Sequence, residues 1–143
     1  MELQLLQETP NVSISYDCAN QWIFVDWRGD LTLPSVQASC LAVVQCFLGG
    51  GYTRILNNNT GVTSMSPNVP AWLALEFLPY MRLAGVEYIA WVYSPNLRVK
   101  CYTDVAFLHT LAAPVVNLFD DLESAVAWLR GVHFNFLARP AAQ

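Results

Sequence analysis

The sequence predicts an α/β fold: a mixed β-sheet whose antiparallel strands come first, followed by alternating strands and helices, with about four helices covering it. Three short apolar segments with tight turns between them open the chain, which is typical of an antiparallel meander. Helical periodicity then alternates with short apolar runs, which implies crossover connections and parallel pairing. No change in composition divides the 143 residues, so we expect a single domain, 1–143.

Composition narrows the class of protein and its partners. Hydrophobic residues make up 55% and charged residues 13%, which excludes a disordered chain. The net charge of -4 and the lack of a basic run argue against nucleic acid as a partner. No apolar stretch approaches the roughly 20 residues of a membrane span. The N-terminus lacks the basic start of a secretion signal, so we expect a cytoplasmic location.

The amino-terminal half is predicted to form three strands and one helix. Arg28-Gly29-Asp30 is expected to be a turn, Thr32 to cap the helix, and the glycines 49–51 to end it. Four irregularly spaced cysteines indicate free thiols in a reducing compartment. The predicted strands are Leu3–Glu8, Val12–Tyr16 and Trp22–Trp27.

The carboxyl-terminal half is predicted to alternate. Pro70 marks a helix start, Pro79 predicts a kink or two short helices, and Gly85 ends this segment. Tyr88–Tyr93 and Val115–Phe119 are predicted strands.

The helices that follow these two strands have recognisable start signals. Ser94 followed by Pro95 predicts the cap and first residue of one helix, which should carry a Lys100–Asp104 pair and extend to Leu108 and Leu111. Asp120 with Glu123 predicts a capping box for the last helix, and Gly131 its end.

The stretch Arg54–Met65 is the centre of the predicted site. Ile55 and Leu56 suit a short buried strand, whereas the asparagines that follow favour a loop from Asn57 to Thr60. That loop either satisfies its own backbone or binds a ligand or partner. Loops after parallel strands gather at one edge of a sheet, so we expect Tyr93-Ser94 and Asp120-Asp121 beside it. The candidate binding residues are Asn57, Asn58, Asn59, Thr60, Ser66, Asn68, Trp72, Tyr93, Ser94 and Asp120.

The sequence contains no recognisable catalytic or metal-binding pattern. His109 and His133 lie far in sequence from the predicted edge, so neither is expected to activate a nucleophile there. Helix capping explains Asp120-Asp121. No phosphate loop, dinucleotide fingerprint or metal-ligand spacing is present, so we expect no cofactor, no metal and no enzymatic activity.

The order of elements and three segments resemble a known family. The segments ILNNNTGVTSM, YIAWVYSPN and FDDLESAVAWL, in the order β-β-β-α-β-α-β-α-β-α, are similar to SpoIIAA-like, STAS-type domains, named for sulphate transporters and anti-sigma-factor antagonists. The resemblance covers roughly residues 10–131 and is closest to small single-domain bacterial proteins described as STAS/SEC14-like. It implies a non-catalytic interaction or regulatory module.

One departure from the family concerns regulation. Phospho-regulated antagonists carry an Asp-Ser-Ser-Gly motif where this chain has residues 66–69, so that Asn68 or Pro67 replaces the phosphorylatable serine. We therefore expect no phospho-switch at Ser64 or Ser66.

Three classes of function remain open: an interaction module, a binder of a small apolar or lipid-like ligand as the SEC14 side of the resemblance implies, and an unrecognised enzyme. A deep pocket lined by Trp72, Phe77 and Trp91 would favour the ligand binder, and a flat apolar patch the interaction module.

The last residues predict self-association, most simply as a homodimer. Phe134, Phe136 and Leu137 follow the predicted helix end at Gly131 and have no obvious place in the core. Exposed together they would form an apolar patch of the kind that marks contacts. The alternative is that the tail, residues 132–143, folds back over its own domain.

Overall fold

A six-stranded sheet forms the centre of the molecule. The computed structural model describes residues 2–107 and 114–138, with side chains up to residue 132. The strands are β1 (Leu3–Glu8), β2 (Val12–Asp17), β3 (Trp22–Leu31), β4 (Arg54–Met65), β5 (Tyr88–Val92) and β6 (Val115–Phe119). The helices are α1 (Leu33–Phe47), α2 (Asn68–Trp72), α3 (Leu78–Leu83), α4 (Leu97–Phe107) and α5 (Leu122–Ala138), with a π-helical turn at Leu73–Phe77 between α2 and α3.

The strands lie side by side in chain order. β1, β2 and β3 pair antiparallel, and β3 to β6 pair parallel. Each parallel connection contains helix, as the geometry of a crossover requires. The predicted mixed sheet is confirmed.

The two faces of the sheet are covered by different helices. Val25, Ile55 and Trp91 belong to the larger core, which α1, the α2–α3 segment and α4 complete. Trp22 and Leu56 belong to a smaller core against α5. Neighbouring strand residues face opposite sides, so consecutive residues serve different cores.

The predicted turn at Arg28-Gly29-Asp30 is wrong, because β3 continues through it to Leu31. The parallel strand β4 continues beside it and supplies backbone partners as far as Met65. Gly29 has a φ of 80° at a point where the register shifts, which glycine accommodates without steric cost. Backbone pairing with a neighbour therefore outweighs the local turn preference.

The expected loop at Asn57–Thr60 is also wrong, because these residues lie inside β4. The turn propensity is visible only as a bulge: Asp26 pairs with Asn58 and Arg28 with Gly61, so β4 has one extra residue there. A Cβ on Gly61 would lie 3.0 Å from the Trp27 carbonyl oxygen, so any side chain at this position would crowd the neighbouring strand.

The start of α1 and the end and break of the next helical segment lie where they were predicted, whereas α2 begins at Asn68 and not at Pro70. Thr32 caps α1 by accepting a hydrogen bond from the Ser35 backbone N–H, and Gly85, with a φ of 100°, follows α3. The helix expected to break near Pro79 does so: the π-helical turn separates α2 from α3, and the Leu78 N–H donates to the Leu73 carbonyl.

The caps of α4 and α5 are not the residues that were predicted. Asn96, not Ser94, caps α4: its Oδ1 accepts from the Arg98 N–H at 2.9 Å. Asp121, not Asp120, caps α5, and its Oδ1 accepts from the Ser124 N–H at 2.7 Å. In both helices the cap is the residue immediately before the first turn, because its side-chain oxygen can reach the free N–H groups of that turn.

The remaining expectations concern α4 and α5. Lys100 pairs with Asp120 and not with Asp104, because β6 brings Asp120 alongside α4. The helix α5 passes through Gly131 to Ala138, so the predicted stop is wrong; tertiary packing outweighs the weak helix propensity of glycine. Leu108, His109 and Leu111 lie outside the described residues. None of the described helices is long and apolar enough to cross a membrane.

Candidate functional site

The carboxyl edge of the sheet is uneven, and this shapes the site. Asn58 of β4 pairs with Val92, the last residue of β5, yet β4 continues to Met65 beside the end of β3. The β3–β4 pair therefore extends beyond the other parallel strands.

Asn57 and Asn59 face the larger core and are buried. The Trp27 Nε1 donates to Asn57 Oδ1 at 2.8 Å, and Asn59 Nδ2 donates to the Val92 carbonyl at 3.1 Å. The Asn57 amide nitrogen is buried without a hydrogen-bond partner among the described residues. Asn59 therefore caps the end of β5, Asn57 is bonded to β3, and both are buried away from the surface.

Asn58 is buried toward the other face. Its Nδ2 donates to Asp26 Oδ1 at 3.0 Å, and its Oδ1 accepts from the Thr60 N–H at 3.3 Å. Burial raises the pKa of Asp26, and the hydrogen bond from Asn58 partly opposes that rise. Of the predicted asparagine and threonine run, only Thr60 is exposed.

The loop after β5 is tied to the extended part of β4. The buried hydroxyl of Ser94 donates to the Val62 carbonyl at 2.7 Å and accepts from the Asn96 N–H at 3.1 Å. Asn96 Nδ2 donates to the Thr63 carbonyl at 2.9 Å. These bonds fix the start of α4 against β4.

An exposed polar cluster joins α4 to the ends of β5 and β6. The Tyr93 hydroxyl donates to Asp104, and Lys100 Nζ lies 2.8 Å from Asp120 Oδ1 and 4.6 Å from the centre of the Tyr93 ring. Burial raises the pKa of Tyr93, and Asp104 raises it further, so the phenol stays neutral and donates. The cluster contains no arrangement of nucleophile and base.

Beside this edge lies an open groove of about 580 Å³, named here the edge groove. Its walls are the end of β4 and the first turns of α4, and Leu97 within it is 82% exposed. None of the ten candidate residues lines it, although Ser66 and Asn68 flank Pro67, which does. The sequence signal for this groove was Leu97, a large apolar residue directly after the helix cap Asn96. The lining residues are Ser64, Met65, Pro67, Asn96, Leu97, Arg98, Val99 and Tyr102.

A second concavity, named here the helix cleft, has a volume of about 370 Å³ and lies between α1 and the α2–α3 segment. Trp72 and Phe77 stack in its wall with centroids 6.3 Å apart. Trp91 does not line it; that ring packs edge-on against Phe107 in the core. The cleft therefore matches only part of the predicted aromatic pocket. The lining residues are Gln37, Cys40, Leu41, Val44, Trp72, Phe77 and Tyr80.

The chemistry of both concavities is limited. Burial raises the pKa of the Cys40 thiol at the base of the helix cleft, which disfavours the reactive thiolate. Within residues 2–107 and 114–132, no three His, Cys, Asp or Glu side chains are placed to hold a metal ion. The side chain of His133 and all of His109 lie outside the described part.

Comparison with solved structures identifies the fold. The chain is similar to an uncharacterised protein of the DUF3478 family with a SpoIIAA-like fold from Shewanella loihica PV-4, at 19% identity and a TM-score of 0.54, over 87% of this chain and 98% of that one. It is also similar to the anti-sigma factor antagonist SpoIIAA in its unphosphorylated form, at 16% identity and a TM-score of 0.51, over 91% and 99% of the two chains. Neither protein-family models nor curated protein sequences yield a match.

The described chain therefore has a SpoIIAA-like, STAS-type fold, as the resemblance in its sequence implied. At these identities the comparison establishes the fold. A single fold supports many functions, and the function of this chain depends on sites such as the edge groove and the helix cleft.

Proposed function

We propose that the protein is a non-catalytic interaction module, regulatory in role, that binds a protein partner through the edge groove. The observation that carries the proposal is the exposure of Leu97, at 82%, in a groove whose walls are joined by hydrogen bonds from Ser94 and Asn96. Burying a large exposed apolar side chain in a contact removes its area from water, which favours association. The structurally similar protein SpoIIAA is an anti-sigma factor antagonist, a role that is consistent with such a module.

The chemistry of the edge groove supports recognition over catalysis. Among the described residues that line it, Arg98 is the only charged one, and Met65, Leu97 and Val99 supply apolar surface. Arginine, methionine and tyrosine, present here as Arg98, Met65 and Tyr102, are enriched in protein interfaces. Of the candidate residues, Ser94 bonds the backbone of the groove wall, whereas Tyr93 and Asp120 contact Asp104 and Lys100 on α4.

The test is partner capture from the cells that produce the protein. Leu97→Asp should abolish capture of a partner that the unaltered chain retains, because a charge would be buried in the contact. Leu75→Asp is the matched control, since Leu75 is 75% exposed and does not line the groove. Equal capture by both variants would contradict the proposal.

The second candidate function is binding of a small apolar or lipid-like ligand in the helix cleft. Its volume of about 370 Å³ and its lining of Trp72, Phe77, Leu41 and Val44 are typical of a ligand site. π-Helical turns frequently occur at functional sites, and this one contributes Phe77.

Native mass spectrometry of freshly purified protein tests the cleft directly, because a retained ligand adds a discrete mass. Titration with a fluorescent fatty acid tests it quantitatively. Leu41→Asp, at the rim, should weaken binding at least tenfold, and Leu83→Asp, exposed on α3 away from the cleft, should leave it unchanged. Equal affinities would exclude this function.

We also propose that the chain self-associates as a homodimer. The tail side chains that first motivated this expectation, Phe134, Phe136 and Leu137, lie outside the described side chains. Support comes instead from large apolar side chains exposed elsewhere, including three leucines on one strand: Leu3, Leu5 and Leu6. Sedimentation of the full chain at tens of micromolar tests this.

A further inference from the structure

The outer edge of the sheet at β1 has free backbone groups in a defined pattern. Among the described residues β1 pairs only with β2, with Leu3 opposite Asp17 and Leu5 opposite Ser15. The Cys18 N–H donates to the Glu2 carbonyl, so Glu2 and, two residues on, Gln4 direct their backbone groups toward β2. In an antiparallel pair the alternate residues point away. Leu3 and Leu5 therefore direct their N–H and C=O groups outward.

The same two residues carry exposed apolar side chains. Leu3 is 45% and Leu5 57% exposed, and both lie on one face of the sheet, because their partners Asp17 and Ser15 do. Residues 3–7 contain no charge and no proline, two of the features that protect an edge strand from pairing. A third, a β-bulge, lies at Leu6, so the regular edge ends at Leu5. The part of the edge before the bulge, with its exposed leucines, is a pairing site.

We propose that β1 pairs with β1 of a second copy of this chain, antiparallel about a two-fold axis, with Leu3 opposite Leu5 of the other copy. This proposal rests on the proposed self-association and specifies its interface. In this register both outward-facing residues of each copy bond their counterparts through N–H and C=O. The sheets of the two copies become continuous, and the leucines of both copies cluster on one face.

The register and the identity of the partner follow from the strand itself. If Leu5 stood opposite Leu5, the β-bulge at Leu6 of each copy would lie within the paired stretch and would disrupt the ladder. In the proposed register Gln4 stands opposite Gln4 on the axis, and Glu8 lies beyond the pair. A second copy supplies leucines at the required spacing on both sides of a closed, self-complementary contact.

Sedimentation of full-length variants locates the interface. Leu5→Lys places charges against the neighbouring leucines, so the dimer should dissociate to monomer. Leu5→Pro should do the same, because it removes an outward N–H while leaving the bonds to β2 in place. Leu83→Lys, at a residue 84% exposed on α3, is the matched control and should remain dimeric. Circular dichroism of each variant checks that the fold is retained.

Cross-linking tests the register without weakening the contact. On the two-fold axis the Gln4 residues form a non-hydrogen-bonded pair with Cα atoms about 4.5 Å apart, within the range of a disulfide. In a chain carrying Cys18→Ser and Cys101→Ser, which removes the exposed native thiols, Gln4→Cys should oxidise to a covalent dimer. Glu8→Cys is the control and should not.

The outcomes separate this proposal from the one on which it rests. A full-length chain that is monomeric at tens of micromolar overturns both. A dimer that survives Leu5→Lys, or that cross-links through Glu8→Cys and not through Gln4→Cys, overturns the β1 interface or its register while leaving self-association intact. Pairing of β1 with a different protein, captured by the unaltered chain and lost in Leu5→Lys while the chain itself is monomeric, also overturns it.

Discussion

The edge groove and the helix cleft are built by different forces. The groove walls are joined by directional bonds, from Ser94 to the Val62 carbonyl and from Asn96 to the Thr63 carbonyl. The cleft walls meet through apolar and aromatic side chains, with Trp72 stacked on Phe77 beside a π-helical turn. Directional bonds fix one arrangement, whereas apolar contact depends on area and tolerates displacement.

Because of this difference, we expect the groove and the cleft to differ in mobility. A preorganised surface loses little freedom when a partner binds, which suits the groove to recognition of a protein. Segments held by few directional bonds open at lower free energy than the rest of a fold. The α2–α3 segment is therefore the part that we expect to move, and the groove is the part that we expect to stay fixed. The predictions below test this contrast.

The largest effect is expected in the cleft wall. Phe77 is buried, so Phe77→Ala should lower the free energy of unfolding by about 3–5 kcal/mol, through lost burial and the cavity that remains. Urea denaturation measures it, and hydrogen exchange should show faster opening of α2 and α3 than of β4.

The control for that prediction is Leu75→Ala, in the same π-helical turn but 75% exposed, which should change stability by no more than about 0.5 kcal/mol. Uniformly faster exchange throughout the sheet would contradict the idea that the segment opens on its own.

A smaller effect is expected in the groove wall. Ser94→Ala removes a buried hydroxyl that bonds both the Val62 carbonyl and the Asn96 N–H, at a cost of about 1–3 kcal/mol. Thermal or urea unfolding measures the cost. Ser64→Ala, at an exposed residue of the same groove, should cost less. Equal losses would mean that the buried bonds do not hold the groove.

The sequence predicted the fold well because its signals there are long and repeated. Alternation in β2, the apolar run of β5 and the helical stripe of α1 each recur over several residues, and the sheet follows from their order. The helix cap at Thr32 and the helix break near Pro79 were also predictable, since a cap and a missing N–H act on the adjacent backbone regardless of the rest of the chain.

The candidate site was less predictable because it depends on neighbours that are distant in sequence. Asn57, Asn58 and Asn59 favour a loop locally, yet β3 and β5 provide the pairing that keeps them in a strand. Serine is a common helix cap, but the Ser94 hydroxyl donates to the Val62 carbonyl and does not cap α4. Local propensity therefore indicates the carboxyl edge of the sheet, whereas pairing with the neighbouring strands determines which side chains remain exposed.

A third prediction uses pH to separate the two sites. Hydrogen bonds from Thr63 and Ser64 lower the pKa of Asp30 below its ordinary value of 3.8. A carboxyl group whose pKa is lower in the folded state contributes stability above its unfolded pKa, and that contribution disappears as pH falls through the folded value. Below about pH 3.8, NMR shifts of Thr63 and Ser64 should change, whereas binding of an apolar probe to the helix cleft should not.

Asp30→Asn is the matched variant for this experiment, because it should remove the titration while leaving an oxygen to accept one hydrogen bond. If the shifts of Thr63 and Ser64 move identically with pH in Asp30→Asn, another group causes the change.

The last prediction, with the smallest expected effect, is that neither Ser64 nor Ser66 is phosphorylated. Ser64 donates to Asp30 Oδ1 at 2.8 Å, a bond that lowers the pKa of this carboxyl, which is ionised at neutral pH. A phosphate on Ser64 would lose this bond and lie beside a like charge. Ser66 offers no better site, since its N–H is already committed to the Leu31 carbonyl and the following helix α2 has only five residues.

Protein isolated from the cells that produce it should therefore have the same intact mass before and after phosphatase treatment. Ser64→Asp should lower stability by repulsion from Asp30, and Ser64→Asp combined with Asp30→Asn should recover part of the loss. If instead Ser64 or Ser66 carries stoichiometric phosphate, the groove is a switched surface, and the contrast between a fixed groove and a mobile cleft does not hold.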